Sequence, residues 1–331
     1  MATAAVNGFT ANGVSANGIT LAYETSGNPQ HPPVLLIMGL GMQLSSWPAD
    51  LVEGLVEQGY YVIRFDNRDS GLSTKLDHLR PPSLVMAWLK SLVGWRQAPA
   101  YTLNDMALDS VGLLDALGIA QAHLVGVSMG GMIAQLIAAR HGERVLSLTS
   151  IMSSSGRRNL PGPSAAARAA MLRRPPGLHQ RAALIDHAVG LMRTIGSPAF
   201  PTPERRLREQ IEQALTRSFC PAGTARQMSA IVACGDRSAL LRKISCPTLV
   251  IHGSADPLVP LACGADTAQS IPGARFHPIE GMGHDLPAQL TERLLALLDA
   301  HLRGNDQSAG HAMAGSVAPQ PSPKTGSNTP H

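Results

Sequence analysis

Ser128 lies within Gly126-Val127-Ser128-Met129-Gly130, and a serine framed this way is equipped for nucleophilic chemistry. The run before it, 123–127, is strand-forming, and the pattern after it, 129–140, is helical. A chain that passes from strand to helix at one residue must turn sharply. The turn strains the serine backbone and stands its hydroxyl above the end of the strand. Glycines two residues before and two after let neighbouring segments pass close by. The helix starting at Met129 offers free N–H groups, and the positive end of its dipole, to an oxyanion formed there. Without that strand and helix the five residues would read as an ordinary Gly/Ser turn.

A serine hydroxyl is a weak nucleophile and needs a base. His284 ends Glu280-Gly-Met-Gly-His284, between a strand-like run at 275–279 and an amphipathic helix at 289–302. The glycines of this loop allow it to aim an imidazole at the sheet edge. Asp256 closes the run Thr248-Leu-Val-Ile-His252-Gly-Ser-Ala-Asp256 and supplies a carboxylate at a strand end. It trails Ser128 by 128 residues, and His284 trails it by 28. Asp285 adjoins His284 but precedes Leu286-Pro287, and it reads as a helix N-cap. Residues 146–160 hold no Asp or Glu, which removes an acid after the fourth parallel strand. Asp236 remains as an outside candidate. His123 and His252 fall at strand positions and read as structural polar contacts. An oxyanion needs two donors. Met129, after the nucleophile, gives one N–H. Leu40, in Met38-Gly39-Leu40-Gly41-Met42-Gln43, gives the other, with Gly39 making the turn that exposes it.

The elements that must position these residues follow a rhythm. Strand runs at 33–38, 60–65, 123–127, 145–151, 248–252 and 275–279 alternate with helical stretches, which implies a parallel sheet with crossover helices. Residues 14–25 read as an opening hairpin with Asn17-Gly18 at its turn. Two stretches break the rhythm. Residues 75–102 form an insertion in which Leu84, Trp88, Ser91 or Leu92, and Trp95 recur at helical spacing. Residues 155–240 are helical without a strand, and they read as a cap over the sheet's C-terminal edge, where open α/β sheets bind ligands. Trp88 and Trp95 are candidate walls of an apolar substrate pocket. The expected architecture is an α/β core with a mostly parallel central sheet, helices on both faces and an inserted helical cap. The core spans 14–154 and 241–304, and 1–13 and 305–331 read as disordered segments.

Composition narrows the function classes. Of 331 residues, 44% are hydrophobic and 15% charged, which excludes a disordered chain, a coiled coil and a collagen-like fibre. No apolar run approaches the roughly 20 residues that span a bilayer, so stable membrane insertion is not expected. The first 13 residues lack the basic and apolar regions of a secretory signal. Cys220, Cys234, Cys246 and Cys263 form no CxxC pair, and free thiols in a reducing, cytoplasmic setting are expected. Charge is uneven: residues 155–245 hold 15 Lys/Arg against 5 Asp/Glu, and the remainder 12 against 18. The basic segment reads as solvated helix faces or as a surface for an anionic group. Only Phe200 and Phe219 fall among its arginines, too few for a stacking platform, which argues against nucleic acid as a partner. Oligomeric state leaves no mark.

These motifs resemble the α/β-hydrolase superfamily over residues 14–303. The resemblance rests on the Ser128 elbow, Asp66-Asn-Arg-Asp-Ser-Gly71-Leu-Ser73, His252-Gly-Ser-Ala-Asp256-Pro and Gly283-His284. The order serine, acid, histidine is that family's order. Ile37-Met-Gly-Leu-Gly-Met42, Ser46-Trp47-Pro48 and Arg64-Phe-Asp-Asn-Arg-Asp69 are similar to bacterial esterases of the aclacinomycin methylesterase type. Many superfamily members have His-Gly at the oxyanion loop. Met38-Gly39 stands here, and a backbone donor does not need the histidine. The resemblance implies a serine hydrolase that cleaves a small-molecule carboxylic ester through an acyl-enzyme on Ser128, with no cofactor and no metal. Ser128 argues against dehalogenases and epoxide hydrolases of this fold, which carry Asp at the elbow. Perhydrolase, lactonase and carbon–carbon bond hydrolase activities stay open. So does a small-molecule sensor or signalling protein that retains the triad.

Overall fold

Strands that are apolar on both sides must be covered on both faces, and the chain supplies helices for each. The computed structural model describes residues 2–6, 9–79, 98–177 and 179–304. Nine strands of these residues form one sheet: β1 (Ala2–Val6), β2 (Phe9–Ala16), β3 (Ile19–Ser26), β4 (Pro33–Ile37), β5 (Tyr61–Phe65), β6 (Ala122–Val127), β7 (Val145–Ile151), β8 (Thr248–Gly253) and β9 (Arg275–Ile279). Their order is β1-β2-β3-β5-β4-β6-β7-β8-β9. The first three run antiparallel, and β5 through β9 run parallel with β4 among them. β2 and β3 form the expected hairpin, with Asn17 and Gly18 both at positive φ, as a tight two-residue turn requires.

Alternation along β4 sorts side chains to the two faces. Leu35 and Ile37 enter one core, and Val34 and Leu36 the other. The first core is roofed by α2 (Leu103–Ala116) and α3 (Met129–Arg140), the second by α1 (Ala49–Glu57) and, in chain order the last helix, α10 (Thr291–Leu302). Residues 155–240 hold α4 (Ala165–Leu172), α5 (Arg181–Ile195), α6 (Glu204–Arg217), α7 (Pro221–Cys234) and the start of α8 (Ser238–Leu241), and no strand among the described residues. α9 (Leu261–Ser270) links β8 to β9. No helix of the described residues is long and apolar enough to cross a membrane.

One expectation needs correction. Residues 1–13 read as disordered, yet they carry β1 and the beginning of β2. An edge strand needs only backbone pairing, and Ala2–Val6 pairs antiparallel with Phe9–Gly13. Trp88 and Trp95, with residues 80–97 around them, lie outside the described residues, as does the segment 305–331.

The uneven charge also has a structural use. Arginines of the helical excursion pair with acids of the core. Arg217 meets Asp66 at 2.7 Å and Arg226 meets Asp69 at 2.7 Å, with all four side chains at most 4% exposed. Burial alone would raise the Asp69 carboxyl. The Arg226 guanidinium, the Leu76 amide and the Tyr101 hydroxyl outweigh it and hold the group below the ordinary carboxylate range. Removing one partner of such a pair strands the other charge. Arg226→Met is therefore expected to cost about 3–5 kcal/mol and to lower the melting temperature by about ten degrees. Adding Asp69→Asn, which removes the stranded charge, should restore most of it. A double-mutant cycle read by thermal melts checks this, and additive losses would show that the pair is not coupled.

Candidate active site

Ser128 joins β6 to α3 with φ 56° and ψ −117°, a conformation that residues with a side chain rarely adopt. The surroundings enforce it. The Ser128 N–H donates to Ile151 O at 2.9 Å, and the Ser153 hydroxyl donates to Ser128 O at 2.8 Å. A Cβ on Gly130 would stand 2.0 Å from Ile37 O, so only glycine lets α3 begin this close to β4. The loop after β4 crosses over the serine, and a Cβ on Gly39 would come within 3.3 Å of Ser128 Cβ. The Leu40 and Met129 amides, which flank this point, donate to no acceptor among the described residues.

His284 follows β9 in a loop held from outside. Its N–H donates to Ile195 O at 2.7 Å, and the Gly283 N–H donates to Ser197 Oγ at 2.8 Å. Both acceptors lie at the end of α5. The imidazole then bridges two groups: Nδ1 lies 2.6 Å from Asp256 Oδ2, and Nε2 lies 3.0 Å from Ser128 Oγ. With the Nδ1 proton donated to the carboxylate, the Nε2 lone pair is left to accept the serine hydroxyl. Asp256 is fully enclosed, and its Oδ1 accepts the Leu258 and Val259 amides at 2.9 and 2.8 Å. Both carboxylate oxygens are thereby fixed in direction. Residues from β4, β6, β8 and β9 thus meet at the C-terminal edge of the sheet.

The competing residues go elsewhere. Asp236 is exposed and its Oδ1 accepts the Ser238 N–H at 2.8 Å. His123 pairs with Ser147 Oγ at 2.8 Å, and burial, helped by His301, pushes its pKa down to about 4. His252 donates Nε2–H to Val259 O at 2.7 Å, and burial keeps its pKa low despite that carbonyl and Asp256. Both are structural contacts, as the sequence implies. Asp285 is not the N-cap that its place before Leu286-Pro287 suggests. Pro287 caps the 3₁₀ turn Ala288–Leu290 and Leu290 the helix α10, and Asp285 instead accepts the Ser197 hydroxyl. Burial raises its pKa against that hydrogen bond. The reason is tertiary: the end of α5 packs on this loop and claims the carboxylate.

The α/β-hydrolase fold family matches residues 32–288, which is most of the chain. The chain belongs to the α/β-hydrolase family. Rhodomycin D methylesterase DauP of Streptomyces sp. strain C5 is 30% identical to this α/β hydrolase over 311 residues, 88% of this chain and 97% of that protein. A thermophilic esterase from Thermogutta terrifontis is 27% identical, with a TM-score of 0.64 over 89% of this chain and 99% of that one. The enol-lactonase of Burkholderia xenovorans LB400 shares the fold at 24% identity and a TM-score of 0.67, over 88% of this chain and 100% of that one.

Sequence reasoning passed over several residues that shape the site of this α/β hydrolase. Ser153 holds the elbow, Ser197 holds the histidine loop, and Asn67 Nδ2 donates to Met38 O at 3.0 Å. Asn67 lies in the quoted loop motif 66–73. Ser153 and Ser197 belong to no pattern of spacing, because each holds a backbone group distant in the chain.

Proposed function

We propose that this ester hydrolase works through an acyl-enzyme on Ser128, with His284 as general base and acid and Asp256 as the carboxylate that orients the imidazole. The arrangement that supports this best is the Ser128–His284–Asp256 chain, at 3.0 and 2.6 Å, built on a strained elbow. Ser128 Oγ attacks the ester carbonyl as His284 Nε2 takes its proton. The developing oxyanion lies between the Leu40 and Met129 amides. His284 then gives its proton to the departing alcohol oxygen, leaving an acyl ester on Ser128. Water attacks that ester with His284 again as base, and the acid leaves as Ser128 is regained. Asp256 keeps the Nδ1 proton in place and stabilises the imidazolium in both halves.

The relation to a methylesterase supports a small methyl leaving group, released as methanol from a small-molecule ester. Residues 155–240 act as the cap, since the ends of α5 and α6 and the face of α7 touch the loops of the site. The four cysteines are free in the structure, in keeping with a reducing cytoplasmic setting. The leaving-group assignment is tested with methyl, butyl and benzyl esters of one acid. kcat/KM is expected to be highest for the methyl ester, because a leaving-group site shaped for one carbon rejects larger groups by steric clash. A preference that rises with alcohol size would overturn it. Phenylmethylsulfonyl fluoride should leave a single adduct, located on Ser128 by mass spectrometry.

A further inference from the structure

The loop that carries Leu40 is fastened on both sides of that residue. From the core, Asn67 Nδ2 donates to Met38 O at 3.0 Å, the Met42 N–H to Gly39 O at 3.2 Å, and the Ser70 hydroxyl to Met42 O at 2.6 Å. From the cap, Gln43 Nε2 reaches the Ala214 and Ser218 carbonyls at the end of α6, at 2.8 and 2.9 Å. A further fastening is Gln227 on α7, which is 0% exposed. Its Oε1 accepts the Gly41 N–H at 2.8 Å, and its Nε2 donates to Arg68 O at 2.8 Å.

The geometry gives this last contact a particular reach. A peptide unit is planar, so fixing the Gly41 N–H also fixes the Leu40 carbonyl. The plane holding the Leu40 N–H is then only two dihedrals away. Gly41 sits at φ 67°, and a glycine visits either sign of φ readily. The turn therefore takes its conformation from what binds it. Gln227 binds it one residue beyond the Leu40 amide, and Arg68 O holds the Gln227 amide from rotating.

We propose that Gln227 is a positioning residue for the oxyanion hole, through which the cap helix α7 sets the direction of the Leu40 N–H. This rests on the reading of Leu40 and Met129 as the oxyanion donors. Its consequence is that the cap forms part of the catalytic apparatus. Donors must meet the oxygen where it lies in the tetrahedral state. A tilted Leu40 amide therefore weakens kcat more than it weakens ground-state binding.

Gln227→Met keeps the volume of the side chain and removes both polar groups. kcat for a methyl ester is expected to fall about ten- to a hundredfold, with KM within about twofold of wild type. Affinity for a trifluoromethyl ketone should fall in step with kcat/KM, because Ser128 Oγ adds to its carbonyl and the resulting oxyanion needs the same donors. The midpoint of the pH–rate profile should not move, since His284 and Asp256 keep their partners. If Gln227→Met gives no cooperative melt, Gln227→Asn is read by the same criteria. Its side chain is one methylene too short to span Gly41 and Arg68. A folded variant that keeps wild-type kcat and inhibitor affinity would overturn the proposal. So would a loss of kcat with inhibitor affinity unmoved. Ser128→Ala, run beside it, separates the two readings: retained turnover there refutes the serine assignment itself, whereas an inactive Ser128→Ala with an unaffected Gln227 variant refutes only the positioning role.

Discussion

Ser128→Ala is expected to fold as wild type and to lose about a thousandfold or more in ester turnover. The fold should tolerate it because the strained φ of 56° is imposed by Ile151, Ser153 and the close glycines, none of which touches the serine hydroxyl. Activity should not tolerate it, because the Oγ that His284 Nε2 approaches at 3.0 Å is gone. A residual rate of about 10³–10⁴ over water can persist from binding and the oxyanion donors alone. The measurement is kcat/KM on a methyl ester together with a thermal melt. A variant that retains its rate with an unchanged melting temperature would remove Ser128 from the mechanism.

Asp256→Asn carries the other large effect, a fall in kcat of up to about 10⁴ with the fold intact. The carboxylate accepts two backbone amides on Oδ1 and the His284 Nδ1 proton on Oδ2. An asparagine can keep the amide contacts through its carbonyl oxygen. Its NH₂ group then faces Nδ1, so the imidazole must place its lone pair there and its proton on Nε2. That tautomer cannot accept the serine proton. Asp285→Asn and Asp236→Asn make the contrast. Asp285 accepts from Ser197 and Asp236 from Ser238, and neither touches the imidazole Nδ1 that Asp256 holds. Both should change kcat little. If Asp285→Asn rather than Asp256→Asn abolished turnover, the acid would be on the wrong side of the histidine loop.

Much of this site is local in the chain and so can be read from it. Gly126 to Gly130 encode a turn whose strain and close packing follow from residue size at fixed offsets. The runs around 33–38, 123–127 and 248–252 are apolar enough to be buried on both faces, which puts their ends at one edge of a parallel sheet. Once Ser128, Asp256 and His284 are each placed at such an end, their meeting is a consequence of topology. The boundaries of the parallel strands depart from the expected ones by at most one residue, as at Gly253, which continues β8.

Asp285 shows where that reasoning stops. Its neighbours Leu286 and Pro287 say helix start, but the end of α5, about ninety positions earlier in the chain, takes its carboxylate through Ser197. The same holds for the charge asymmetry. A surplus of arginine in 155–245 looks like solvated surface, and only the fold shows Arg217 and Arg226 turned inward onto Asp66 and Asp69.

By itself the sequence determined the fold class, the elbow and the three candidate residues, because each depends on short-range pattern and on the order of strands. The tertiary structure decided how the helices of 155–240 are attached and what holds the loops of the site: Gln227 on Gly41, Gln43 on α6, Ser197 on Gly283. Those contacts join side chains to backbone groups 86 to 186 positions away. Almost any residue presents the same backbone N–H or C=O, so no residue type at the far end marks them.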